Sequence, residues 1–174
     1  MRRILLAGFG GQGILFAGKF LAYIGMAQGK EVSWLPSYGP EMRGGTANCG
    51  VIISEEPIGS PIVSEPDILI CMNQPSLDKF ASALSGEGVL FLDNSIIERK
   101  AEALNARCIP ATRLASDNGM SRLANMIMLG KVIAECALCD RAVVGETMRK
   151  AVPDAGKADL LRLNLRAIDI GWEY

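Results

Sequence analysis

The sequence contains no histidine, which removes imidazole-based nucleophile triads, His-ligated metals and histidine general bases in one step. Net charge is almost absent too: 18 Lys and Arg against 19 Asp and Glu leave −1, with no dense basic run. Neutralising several phosphates at once needs such a run, so nucleic acid is disfavoured as a partner. Long apolar stretches are also missing. The longest, Leu123 to Leu138, is shorter than the roughly 20 residues that span a bilayer, and it carries Asn125, Lys131 and Glu135. No membrane role is expected. No secretory signal precedes the five cysteines, Cys49, Cys71, Cys108, Cys136 and Cys139, and their odd number fits a reducing cytoplasm.

What the chain has in excess is apolar side chain and glycine. Of 174 residues, 49% are apolar and 21% charged, and the mean hydropathy is +0.23. One domain over residues 1–174 is expected, with a well-supplied core and apolar surface left over for a partner. The 19 glycines exceed the usual share of about 7%, which points to tight turns or to backbone approached closely by something else.

Arg3 to Phe9 reads as a buried strand, Gln12 to Gln28 as a helix stopped by Gly29, and Glu31 to Leu35 as a second strand ended by Pro36. This opening is a βαβ unit with a right-handed crossover. Strands are expected at 49–54, 67–72, 89–93 and 107–109, with helices at 76–84 and 97–105. From Ser121 onward only helices are expected, at 121–138, 144–152 and 156–170. The fold class is α/β: a three-layer, Rossmann-like, mostly parallel sheet over about 1–117, with an all-helical C-terminal third over about 118–174.

The first glycine cluster, Gly8-Phe9-Gly10-Gly11-Gln12-Gly13, satisfies G-x-G-x-x-G between a strand and a helix. Such a turn can bring backbone amides and a helix N-terminus to a pyrophosphate. The acidic residue that would hold a ribose at the end of the second strand is absent, because Glu31 stands at that strand's beginning. A free-standing dinucleotide-binding oxidoreductase or regulator therefore stays open beside a plain packing role for the glycines.

The second cluster, Ser37 to Asn48, is a long connection carrying Tyr38, Glu41, Arg43, Gly44, Gly45 and Thr46. It should emerge at the same carboxyl edge of the sheet as the glycine turn, where ligands of open α/β sheets bind. A solvated loop is the alternative. Asn73 and Gln74 end another strand at that edge, as do Asp93, Asn94 and Ser95, for which helix capping is preferred.

Cys136-Ala137-Leu138-Cys139 lacks the partners of a zinc or iron–sulfur site and reads as buried small side chains. Glu41, Glu55, Glu56, Glu65 and Asp67 form no paired catalytic pattern. No catalytic residue and no metal ligand set is expected in this chain. The apolar helix around Met126 and Met128 must be covered on most sides, either as core or in an oligomer contact, so self-association of the isolated chain is anticipated.

Gly8 to Leu15 with Ala17-Gly18, Ser37 to Gly45, Ser60-Pro61, Asn73-Gln74, Arg122 to Gly130 and Leu163 to Ala167, taken in order, resemble the gamma subunit of 2-oxoacid:ferredoxin oxidoreductases. The likeness spans nearly the whole chain, and the segment from Tyr38 to Cys49 is most similar to the 2-oxoglutarate type, ahead of branched-chain and pyruvate types. The resemblance implies oxidative decarboxylation of a 2-oxoacid with coenzyme A, giving acyl-CoA, carbon dioxide and reduced ferredoxin. It also implies that thiamine diphosphate and iron–sulfur clusters sit on other subunits. This chain would then pack beside alpha and beta subunits, and a delta subunit where the complex has one, contacting ferredoxin only indirectly. Gly8, Gly10, Gly11, Gln12, Gly13, Tyr38, Glu41, Arg43, Gly44, Gly45, Thr46, Asn73 and Gln74 are the candidates for that junction or for a coenzyme A path. A scaffold with an empty crevice is a third reading.

Overall fold

The computed structural model describes residues 1–37, 46–98, 106–152 and 158–174. Its strands are β1 (Arg2–Phe9), β2 (Glu31–Ser37), β3 (Thr46–Ser54), β4 (Ile68–Cys71), β5 (Val89–Asp93) and β6 (Arg107–Ile109). Its helices are α1 (Ile14–Ala27), α2 (Gln74–Phe80), α3 (Ala111–Asp117), α4 (Ala124–Glu135), α5 (Arg141–Ala151) and α6 (Ala158–Glu173). The six strands form one sheet in the order β2-β3-β1-β4-β5-β6.

β4, with sequence ILIC, is buried at every position, as a parallel strand covered on both faces must be. Alternate residues point to opposite layers. Ile4, Leu6, Ile68, Ile70 and Phe91 face the thick layer with Phe20, Leu21 and Ile24 of α1 and Met126 to Leu129, Val132 and Ile133 of α4. Leu5, Leu69, Cys71, Leu90 and Leu92 face a thinner layer that includes Leu77 of α2 and Ile97.

The α/β expectation holds, with one change at the start of the sheet. β1 and β2 both pair antiparallel with β3, so they point the same way but are not neighbours. β3 returns between them, and the register Phe9↔Thr46 and Ser37↔Asn48 confines the β2–β3 connection to residues 38–45. The C-terminal third is helical, as the absence of strand patterning indicated. α3 was not anticipated: it follows Pro110, and its buried positions are only Ala111 and Ala115, too small to write a clear period. Of the expected helix at 97–105, residues 97 and 98 are not helical and 99–105 lie outside the described residues.

α4 corrects the expectation of an oligomer contact. Asn125 to Ile133 are all buried, and Met126 and Met128 are 0% and 1% exposed within this chain alone. The sheet covers one side, while α6, α3 and α1 close over the others. α6 gets close enough because glycines face it: a Cβ on Gly130 would collide with the Ile168 carbonyl.

Candidate functional site

The carboxyl ends of β1, β4 and β5 lie side by side through the registers Ala7↔Cys71 and Cys71↔Leu92, and the amino end of β3 joins them opposite Phe9. The glycine turn, Ser37 and Thr46, which flank residues 38–45, and the Asn73 turn therefore share one edge.

Within the turn, Gly8, Gly11 and Gly13 each have a local reason. Gly11 and Gly13 adopt φ of 96° and 71°, the left-handed region that glycine enters without strain. Gly8 lies under folded-back side chains, since a Cβ there would stand 2.6 Å from Gln12 Oε1 and 2.7 Å from Ile14 Cδ1. Gln12 is the pivot. Its Oε1 accepts from the Phe9 amide at 2.6 Å and from Asn73 Nδ2 at 3.4 Å, while its Nε2 donates to the Met72 carbonyl at 2.9 Å. One side chain thus laces the turn after β1 to the turn after β4.

That arrangement does not fit a dinucleotide fingerprint. The Phe9 amide is already taken by Gln12, and β3 stands between β1 and β2, moving the end of β2 to about twice the usual strand spacing of ~4.8 Å from β1. The ribose-binding position beside β1 is filled by an antiparallel strand.

Asn73 is buried and divides its amide between two jobs: Oδ1 accepts from the Ser76 amide at 2.8 Å as the α2 cap, and Nδ2 reaches Gln12. Gln74 donates to Asp78 Oδ1 at 3.0 Å along α2. Asp93 is fully buried and accepts from the backbone and hydroxyl of both Ser95 and Thr112, tying β5 to the first turn of α3. It is a structural knot, in keeping with the capping preference. Tyr38, Glu41, Arg43, Gly44 and Gly45 lie outside the described residues; Thr46 is placed only through its backbone pairing with Phe9.

Burial pushes the Cys49 and Cys71 thiols up to about 12 and the Cys139 thiol up to about 11. Among the described residues no group of three or more Cys, Asp or Glu side chains comes together, and no helix is long and apolar enough to cross a membrane.

Asn125 escaped notice in the sequence except as a polar interruption of an apolar helix. It donates through Nδ2 to the Gly13 carbonyl at 3.1 Å, so α4 buttresses the glycine turn from behind. A buried amide in the middle of an apolar stretch was the available signal.

The family of pyruvate ferredoxin/flavodoxin oxidoreductases matches residues 3–174. The chain belongs to this family. Subunit VorA of ketoisovalerate oxidoreductase from Methanothermobacter thermautotrophicus is 41% identical over 99% of the chain, and the chain spans 36% of that relative's length. Subunit KorC of 2-oxoglutarate synthase from Methanocaldococcus jannaschii is 36% identical, with 99% of this chain and 92% of KorC covered. Among solved structures, the gamma subunit of a keto/oxoacid ferredoxin oxidoreductase from Geobacter sulfurreducens is 27% identical and superposes with a TM-score of 0.79 over 99% of this chain and 97% of that one.

Proposed function

We propose that the chain is the gamma-type component, one folded unit over residues 1–174, of a 2-oxoacid:ferredoxin oxidoreductase working in the cytoplasm. The complex converts a 2-oxoacid and coenzyme A to acyl-CoA and carbon dioxide and passes the electrons to ferredoxin. Thiamine diphosphate supplies the decarboxylation and iron–sulfur clusters the electron transfer, both on the partner subunits. The contribution of this chain is positional. Gln12 holds the Phe9 turn against the Met72 turn, Asn73 steadies Gln12, and Asn125 supports Gly13. The result is a firm edge beside which the alpha and beta subunits pack.

The single observation that carries this reading is the convergence of the glycine turn with Ser37 and Thr46, the residues on either side of 38–45, through the pairs Phe9↔Thr46 and Ser37↔Asn48. The exposed rings of Phe9 and Phe16 flank the turn and suit a partner surface better than solvent. Arg43, Gly44 and Gly45, which lie outside the described residues, are our candidates for contact with a phosphorylated cofactor or a partner loop at that junction, with Arg43 as the cation. Substituting Arg43→Ala in the complex is expected to raise the Michaelis constant for coenzyme A or to weaken assembly. If neither changes, the junction is elsewhere.

For the substrate we carry forward 2-oxoglutarate, the type that residues 38–49 resemble. The 41% identity to a ketoisovalerate subunit supports a branched-chain 2-oxoacid as the second reading. Comparing viologen reduction on the two acids, with pyruvate as a third, separates them.

A further inference from the structure

A stripe along the outer side of α1 is left open among the described residues. The inward positions of the helix, Ala17, Phe20, Leu21 and Ile24 among them, are buried. Phe16, Lys19, Tyr23 and Met26 lie between those positions, spaced three, four and three residues apart, with Phe16 39% and Met26 61% exposed. That alternation keeps side chains on one line of a helix and is the spacing with which two helices pack side by side. Tyr23 and Met26 form a ridge with a groove on each side. One groove, of about 410 Å³, runs between α1 and β2 and is lined in part by Lys19, Lys30 and Glu31. The other, also about 410 Å³, runs between α1 and α5, with Lys150 on its wall.

The charges beside the ridge select the occupant. Lys30 binds Glu55 at 3.1 Å, but Lys19 and Lys150 make no ion pair among the described residues. Lys19 Nζ instead lies 5.5 Å from the centre of the Tyr23 ring, which holds the ammonium over the ridge with further N–H groups to offer a carboxylate. Glu31 is the single acid among the described lining residues of either groove, so a chain of net charge −1 turns a basic face outward here. A second copy docking the same stripe across a two-fold axis would set lysine rims against lysine rims. An anionic lipid surface calls for a denser cluster of about four to eight cations. A helix with an apolar stripe and acids along both borders meets the ridge, the grooves and the charges together.

We propose that the outer stripe of α1 is a docking surface for an acidic amphipathic helix of a partner protein: its apolar side chains straddle Tyr23 and Met26, and its flanking carboxylates meet Lys19 on one side and Lys150 on the other. This surface involves neither Arg43 nor coenzyme A, and its test uses the chain alone, so it and the junction proposed above fail separately.

The test is fluorescence anisotropy of a labelled, designed helical peptide of about 20 residues, with leucine along one stripe and glutamate along both of its borders, titrated with the full chain. A second peptide carries lysine in place of each glutamate. Saturable binding of the acidic peptide and none of the basic one is expected. Met26→Asp should weaken it about tenfold or more, and so should Lys19→Glu combined with Lys150→Glu; that double variant should in turn bind the basic peptide. Circular dichroism checks that each variant is folded. Arg113→Glu, an exposed charge on α3, should leave binding unchanged. Failure of the acidic peptide to bind overturns the proposal, as does equal binding of the two peptides. Loss of binding with Arg113→Glu as large as with the double variant would also overturn it, because the attraction would then belong to the chain's overall charge. Binding of the chain to phosphatidylserine vesicles with none to the acidic peptide would assign the face to a membrane and overturn it as well.

Discussion

Gly171 of α6 lies directly against the backbone carbonyl of Ile127 in α4: a Cβ built on Gly171 would land on that oxygen. Gly130 of α4 stands in the reciprocal position against Ile168, so the two helices touch through backbone rather than side chains. This contact lets α6 seal the face of α4 that the sheet leaves open.

Gly171→Ala and Gly130→Ala should therefore destabilise the chain by about 3 kcal/mol or more, at or above the usual upper range for an overpacked core. Gly59, whose Cβ would meet nothing within 4 Å, is the control. Gly59→Ala should lie within about 0.5 kcal/mol of the parent. Urea denaturation of the three variants checks the ranking.

Removing the lace between the turns has a smaller cost. Gln12→Ala frees the Phe9 amide, which water can reach, and the partly buried Met72 carbonyl. A loss of about 1 kcal/mol is expected, together with faster hydrogen exchange at the Phe9 amide. Exchange unchanged at that amide would show that the Gln12 bond does not form in solution.

The Arg3–Asp67 pair gives a pH signature. Burial alone would raise the Asp67 carboxyl, but bonds from the Arg3 side chain at 2.7 Å and the Arg3 amide at 2.8 Å, together with the Arg3 charge, hold it below its ordinary value. A carboxylate with a lowered folded pKa contributes stability that is fully present above its unfolded pKa of about 3.9 and is lost as pH falls through the folded value. Asp67→Asn should flatten the acid side of the stability curve below about pH 4 and leave the slope near neutrality unchanged.

The thiols make a fourth prediction. Cys49 and Cys71 are completely buried and pushed up to about 12 by that burial. Neither should react with a thiol reagent at neutral pH until the chain unfolds, whereas Cys108, Cys136 and Cys139, partly exposed, should label slowly in the native state. Mass-spectrometric mapping before and after denaturation distinguishes the two sets.

The strands that read most cleanly from the sequence were those with unbroken apolar runs. Val89–Asp93 has the expected bounds because parallel strands inside a three-layer fold bury both faces. Strand order was not legible, since nothing in the residues of β2 says that β3 will pair between it and β1. The covering of α4 was hidden for a similar reason: the glycine that admits α6 sits 41 positions beyond Gly130, at Gly171. At the candidate site the glycine turn was visible from its motif. The roles of Gln12, tied to Met72, and of Asn125, tied to Gly13, depend on partners 60 and 112 residues away, which no local pattern encodes.

The dependence of the reaction on this chain is tested most directly by reconstitution. Viologen reduction would be followed with 2-oxoglutarate, 3-methyl-2-oxobutanoate and pyruvate, with and without coenzyme A, for the chain alone, the partner subunits alone and the two combined. A gamma-type supporting subunit predicts no turnover by the chain alone and coenzyme A-dependent turnover of one 2-oxoacid only when all components are present. Turnover by the isolated chain, or full activity of the partner subunits without it, would contradict that role.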